Sequence, residues 1–166
     1  QKILKGYEKK TDGRLVSYIL GKENLEQCHQ IARWAKGQGL AYKELYWTGW
    51  EIPSLNEHLN GFFHISVPEW LNAIRNAEYV LTNSFHCAVF AILFRKKFMV
   101  LNNPSGGLDR ILTLLGLLRL KQRYLSDLIQ SDRLLERLEN PIDYERVQKD
   151  LEACRKDSLA FLVNIR

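Results

Sequence analysis

His86 and Arg110 are the two side chains whose settings suggest chemistry. His86 closes the polar run Thr82-Asn83-Ser84-Phe85-His86, which separates the apolar stretch Tyr79–Leu81 from an apolar helical stretch, Phe85 to Phe94. Asn83 or Ser84 is placed to accept a hydrogen bond from the first turn of that helix. The imidazole then sits where unsatisfied backbone donors and the positive end of the helix dipole converge, a setting suited to an anion. Arg110 follows the loop Asn102-Asn103-Pro104-Ser105-Gly106-Gly107 and falls in the first turns of another helix. A guanidinium beside a glycine loop can clamp a carboxylate or phosphate, with Ser105 and Gly106 as neighbouring contacts. Two plainer alternatives remain at this point: a histidine that satisfies loop carbonyls, and a surface arginine that caps one.

The elements that must position these residues follow from hydrophobic patterning. Tyr79–Leu81 and Phe98–Leu101 bracket the helix Phe85–Phe94, and two strands joined through a helix run parallel. The helix is apolar almost all round, with Phe85, Ala88, Val89, Ile92 and Leu93 on one stripe, and is expected deep inside the domain. Upstream, Arg14–Leu20 reads as a strand. Asn24 and Gln27 have capping-box spacing, Leu25 to about Lys36 reads as a helix ended by Gly37, and Tyr42–Trp47 as the next strand. Residues 48–64 are irregular and rich in aromatics, which either pack a loop onto the core or line a cleft. Ser66-Val67-Pro68-Glu69 is a second capping box, opening a helix Val67–Asn76 that buries Val67, Trp70 or Leu71, and Ile74. Downstream come a helix Leu108–Leu115, a short strand at 123–125, a helix Leu128–Leu138 and a long helix Asp143–Val163 with Tyr144, Val147, Leu151, Cys154 and Leu162 inward. That last helix either completes the domain or packs on a missing neighbour. The alternation predicts an α/β fold, a Rossmann-like doubly wound parallel sheet over residues 14–166, with 1–13 a linker or truncated end. At the carboxyl edge of such a sheet, ligands bind.

Composition narrows the function classes. A chain of 166 residues, 46% hydrophobic, can bury one core. It opens on Gln1 instead of Met, as a processed or truncated product would. No apolar run reaches the roughly 18 residues of a membrane span. The net charge of +5 is spread along the chain, densest at Arg95-Lys96-Lys97 and at Arg119, Lys121 and Arg123. No basic helix, aromatic binding strand or zinc-finger spacing points to nucleic acid. Cys28, Cys87 and Cys154 are widely spaced and read as reduced core residues, and the four histidines lack ligand spacing, so no metal is expected. Gly37-Gln38-Gly39 follows a helix and precedes a strand, the reverse of a dinucleotide-binding loop.

Val67-Pro68-Glu69-Trp70-Leu71, the run Ala77 to His86, then Phe90, Phe94, Lys97-Phe98, Arg110-Ile111 and Leu114-Leu115-Gly116-Leu117 together resemble the polysaccharide pyruvyl transferase family. The likeness covers roughly residues 14–125. The family's usual Thr-Asp-Ser-Phe-His-Gly stands here with Asn83 for the Asp and Cys87 for the Gly. The resemblance implies the carboxyl-terminal, donor-binding half of a two-domain GT-B-type glycosyltransferase architecture, whose amino-terminal acceptor domain lies outside this chain. It also implies transfer of pyruvate from phosphoenolpyruvate to a sugar or lipid-linked oligosaccharide as a ketal, with no cofactor beyond that donor. His86 is then the catalytic residue, and Asn83, Ser84, Phe85, Ser105, Gly106 and Arg110 bind substrate. The expected place is the cytoplasm or the inner face of the membrane, and an exposed interdomain face makes a homo-oligomer an expectation as well. A nucleotide-sugar glycosyltransferase half and a non-catalytic binding or assembly domain are the competing readings.

Overall fold

Five parallel strands, alternating with helices, carry the site. The structure is a computed structural model that describes residues 13–21, 24–45, 65–103, 106–126 and 133–163. The elements run β1 (Arg14–Tyr18), α1 (Leu25–Gly37), β2 (Ala41–Leu45), α2 (Val67–Asn76), β3 (Tyr79–Thr82), α3 (Phe85–Leu93), β4 (Lys97–Leu101), α4 (Leu108–Leu117), β5 (Tyr124–Leu125), α5 (Leu134–Glu139) and α6 (Tyr144–Val163). The expected amino-terminal linker, the end of the second strand at Tyr46 and Trp47, the aromatic stretch 48–64, Ser105 and the start of the helix expected at Leu128 lie outside the described residues.

The strand order is β2-β1-β3-β4-β5, every pair parallel. Side chains alternate across the pleat, so the sheet feeds two cores. On one face Leu15, Tyr79, Leu81, Met99 and Leu101 pack with α1 and α5 through Ile31, Ala35, Leu134 and Leu138. On the other, Val16, Val80, Phe98 and Val100 meet α2, α3 and α4, with Val147 of α6 joining them. Burial on both faces explains why β3 and β4 read as unbroken apolar runs. The fold is an α/β, Rossmann-like doubly wound sheet, as patterning predicted.

Local chemistry sets the element ends. Ser66 and Glu69 form the predicted capping box: the Ser66 hydroxyl accepts from Glu69 N and the Glu69 carboxylate from Ser66 N at 3.0 Å. The box at Asn24 does not form. That side chain reaches back to donate to Leu20 O at 2.6 Å, leaving α1 without a side-chain cap. Gly39, not Gly37, ends α1, because it is Gly39 that takes a left-handed conformation (φ +67°), with Leu40 N bonded to Ala35 O. The same motif ends α3 and α4, but there Arg95 and Arg119 hold the left-handed position, each with φ +54°. Both side chains then reach α6, Arg95 to Glu145 at 3.0 Å and Arg119 to Asp150 at 3.8 Å.

Three burial expectations are corrected. Val67, the first residue of α2, is exposed. Helix α3 buries Cys87, Ala88, Ala91 and Ile92, while Phe85 and Val89 are half-buried and Leu93 faces solvent; its apolar surround exceeds what one sheet and two helices cover. In α6 only Val147 is fully buried, and Leu162 is exposed with Leu159, Phe161 and Val163, because the helix outruns the domain it packs on.

The amino edge of the sheet is knitted by polar contacts. Lys97 bonds Glu78 and Glu139, each at 2.8 Å, and Tyr79 donates to Glu139. Buried Lys96 donates to Ala77 O at 2.7 Å while its own carbonyl accepts from Tyr144. Buried Arg123 donates to the carbonyls of Arg137 and Asn140, tying α5 beneath β5.

Candidate active site

At the opposite, carboxyl edge, β3 ends in Thr82, whose hydroxyl donates to Tyr18 O at 2.6 Å and accepts from Ser84 N at 3.0 Å. Sequence patterning places this threonine in the polar turn after Leu81 and assigns it no role of its own; it is instead the last residue of β3. It holds the turn so that Ser84, with extended backbone, becomes the cap of α3, its Oγ accepting from Cys87 N at 3.5 Å. Asn83 and Ser84 are buried. Both amide atoms of Asn83 engage Leu20: Oδ1 accepts from Leu20 N at 2.7 Å and Nδ2 donates to Leu20 O at 2.9 Å. They brace the turn from inside. His86, one residue into α3, is exposed, and Phe85 is half-buried beside it.

Helix α4 brings the second group. Its N-cap is Gly107, left-handed at φ +79° and without a side chain to cover the first N–H groups. Gly106 before it has φ +107°, tied through its carbonyl to Asn103 Nδ2 at 2.9 Å. Arg110 then lies with its guanidinium carbon 5.7 Å from the Phe85 ring centroid, and the His86 imidazole meets the same ring edge-on at 5.8 Å. A Cβ on Gly107 would come within 3.1 Å of Arg110 Nη2, so this glycine leaves the guanidinium its room. The structure thus gathers Phe85, His86, Gly106 and Arg110 on one open edge, with Asn83 and Ser84 beneath.

The electrostatics favour an anion. Two helix N-termini, each equivalent to roughly half a positive charge, flank the Phe85 ring. The first turn of α3 contains no acidic residue and that of α4 contains Asp109. Cys87 is no nucleophile here: it is fully buried, and burial pushes its thiol up to about 12 against a small opposing pull from the Thr82 hydroxyl. Its side chain points into the core, so it does not obstruct a ligand over the α3 N-terminus. Glu44, near the end of β2, is only 3% exposed and accepts from the Tyr42 hydroxyl at 3.4 Å.

Among the described residues, no group of three or more His, Cys, Asp and Glu could hold a metal ion, and no helix is long and apolar enough to cross a membrane. A polar cleft of about 160 Å³, lined by Arg14, Val16, Lys43, Glu69, Asn72 and Asn76 among others, contains none of the site residues.

No curated protein matches the chain. The sequence profile described as polysaccharide pyruvyl transferase matches residues 18–105, just over half of it, running from the last residue of β1 through β4 and taking in the turn with His86 while stopping short of Gly106 and Arg110. With the Ser84-Phe85-His86 turn and its aromatic helix inside that span, the chain belongs to the polysaccharide pyruvyl transferase family.

Proposed function

We propose that this chain is the donor-binding half of an enzyme that transfers pyruvate from phosphoenolpyruvate to a sugar of a cell-surface polysaccharide or its precursor, forming a pyruvate ketal. The observation that carries this reading is the convergence of His86 and Arg110 on the Phe85 ring between two helix N-termini. Phosphoenolpyruvate has two anionic groups, a carboxylate and a phosphate, and a site with a guanidinium fork and converging N–H groups suits both. The acceptor would come from an amino-terminal domain facing this one in a GT-B-type arrangement, on the cytoplasmic side of the membrane.

In this mechanism His86 gives a proton to C3 of the enol, which makes C2 electrophilic. A sugar hydroxyl adds to C2, the C2–O bond to phosphate breaks, and the phosphate takes the bonding pair while Arg110 and the helix N-termini neutralise its charge. A second hydroxyl adds to C2 and closes the ketal. Of the two hydroxyl protons, one restores His86 and the other leaves with phosphate. Ser84 holds the α3 N-terminus at the donor, and Gly106, with Ser105 beside it in the chain, supplies backbone contacts.

Calorimetric titration of phosphoenolpyruvate into the chain, its His86→Ala and Arg110→Ala variants, with a nucleoside diphosphate as control, tests the reading. Saturable binding that each substitution weakens by about 1 to 3 kcal/mol, the scale of a charge-assisted hydrogen bond, is expected. Binding of the nucleotide alone would overturn it in favour of glycosyl transfer.

A further inference from the structure

We infer that Asn83 is a positioning residue that seals the crevice between β1 and β3, and so confines the donor to the side of Phe85 that faces α4. The inference rests on the donor-binding reading above and refines it.

Main-chain pairing of β1 with β3 ends at Tyr18 and Thr82. Past that point the chains part, β1 toward α1 on one face and β3 into α3 on the other. In an open parallel sheet this is where a ligand ordinarily enters. Here side chains continue the sheet. Thr82 Oγ1 donates to Tyr18 O, and Asn83 bonds both the N–H and the C=O of Leu20 as a neighbouring strand residue would. Asn24 donates to the same Leu20 carbonyl from the α1 side. Asn83 and Asn24 are 2% and 5% exposed, so these bonds fill the crevice. Among the described residues, what remains open is the β3–β4 side, where Phe85, His86 and Arg110 meet.

In this chain the Asn83 carboxamide offers an acceptor to Leu20 N and a donor to Leu20 O from one flat group, where the family's usual Asp, when ionised, has no donor for the carbonyl. A carboxylate there keeps the first bond and sets an anion against the carbonyl in place of the second. Asn83→Asp therefore opens the clamp with almost no change of volume, and Asn24→Ala loosens it from the other side without touching the α3 turn.

The test uses Asn83→Asp and Asn24→Ala, with phosphoenolpyruvate titrations, melting temperatures and the imidazole NMR resonances of His86 recorded without ligand. Both variants are expected to move the His86 resonances and to weaken phosphoenolpyruvate binding roughly three- to tenfold, the effect of one lost neutral hydrogen bond on the site's geometry. A lower melting temperature with unchanged affinity and unchanged His86 resonances would reduce Asn83 to a structural role and overturn the inference. So would weaker binding in Asn83→Asp alone with His86 unmoved, since that marks direct contact with the donor. If Asn83→Asp fails to fold, Asn24→Ala decides by the same readouts. If the unaltered chain binds no phosphoenolpyruvate, the donor reading fails, while the ligand-free His86 resonances still judge the clamp.

Discussion

Replacing Phe85 with leucine keeps an apolar side chain in the α3 turn but removes the ring face on which Arg110 rests. The guanidinium lies 5.7 Å from the ring centroid, inside the roughly 6 Å limit of a cation–π contact, which at exposed sites is worth about 0.5 to 1 kcal/mol. That energy bears on function because an exposed arginine free of the ring samples many rotamers and must be ordered again by each anion it binds. A penalty of that size corresponds to a loss of roughly two- to fivefold in affinity. The discriminating assay is a double-mutant cycle of Phe85→Leu and Arg110→Ala, read by urea unfolding and by phosphoenolpyruvate calorimetry. Phe85→Leu also loses packing, so its single value is uninformative; the cycle isolates the pair. A coupling of about 0.5 to 1 kcal/mol is expected in both assays. If the two substitutions add within about 0.3 kcal/mol, the ring does not organise the guanidinium and the argument from Phe85 fails.

Three further outcomes follow from the structure. Arg119→Gly should stabilise the chain by about 0.5 kcal/mol in urea unfolding, the balance between relief of a left-handed side chain and the greater freedom of glycine when unfolded, whereas Arg95→Gly, which forfeits the closer pair with Glu145, should be neutral. Hydrogen bonds from Lys97 and then Tyr79 hold the Glu139 carboxyl below its ordinary range; a depressed carboxylate contributes stability above the unfolded value and loses it as pH falls through the folded one. The deficit of Glu139→Gln should thus be constant above about pH 5 and shrink on acidification below about pH 4. Burial raises the phenols of Tyr18, Tyr42, Tyr79 and Tyr144, that of Tyr79 to about 12. Their contribution is intact below the unfolded value near 10 and is lost as pH climbs past it, so their tyrosinate absorbance should rise together with loss of circular dichroism.

Much of this was legible in the sequence because short-range rules governed it. Strands buried on both faces give continuous apolar runs, which is why Tyr79 to Leu101 could be read as strand, helix and strand. The Ser66–Glu69 box needs nothing beyond four consecutive residues. His86 and Arg110 were expected at one edge because each follows the carboxyl end of a neighbouring strand, and the structure places them on a shared ring. What was not legible depended on partners far along the chain. Asn24 had the spacing of a cap, yet its amide found Leu20 O instead. The partner of Asn83 lies 63 residues away, so no local pattern could show its engagement. Leu93 and Leu162 carry helical periodicity, but periodicity names a face without supplying a neighbour to cover it.

The polar knitting at the amino edge of the sheet has a consequence for how this protein tolerates change. Lys96, Lys97, Arg123, Glu139 and Tyr144 bind together the starts of β3, β4 and β5 and two helices, whereas the carboxyl edge presents exposed glycine and first-turn residues. Amide deuterium uptake should therefore be graded along β4, slowest where the sheet is stitched and fastest where it opens toward α4, and slow to the carboxyl ends of β1 and β3, which Thr82 and Asn83 clamp. The fold is anchored at its amino margin and at the β1–β3 clamp and is free to vary beside α4, so random substitutions should separate into two spatial groups: losses of abundance mapping to the stitched parts, and losses of ligand affinity in well-expressed protein mapping to the exposed first turns of α3 and α4.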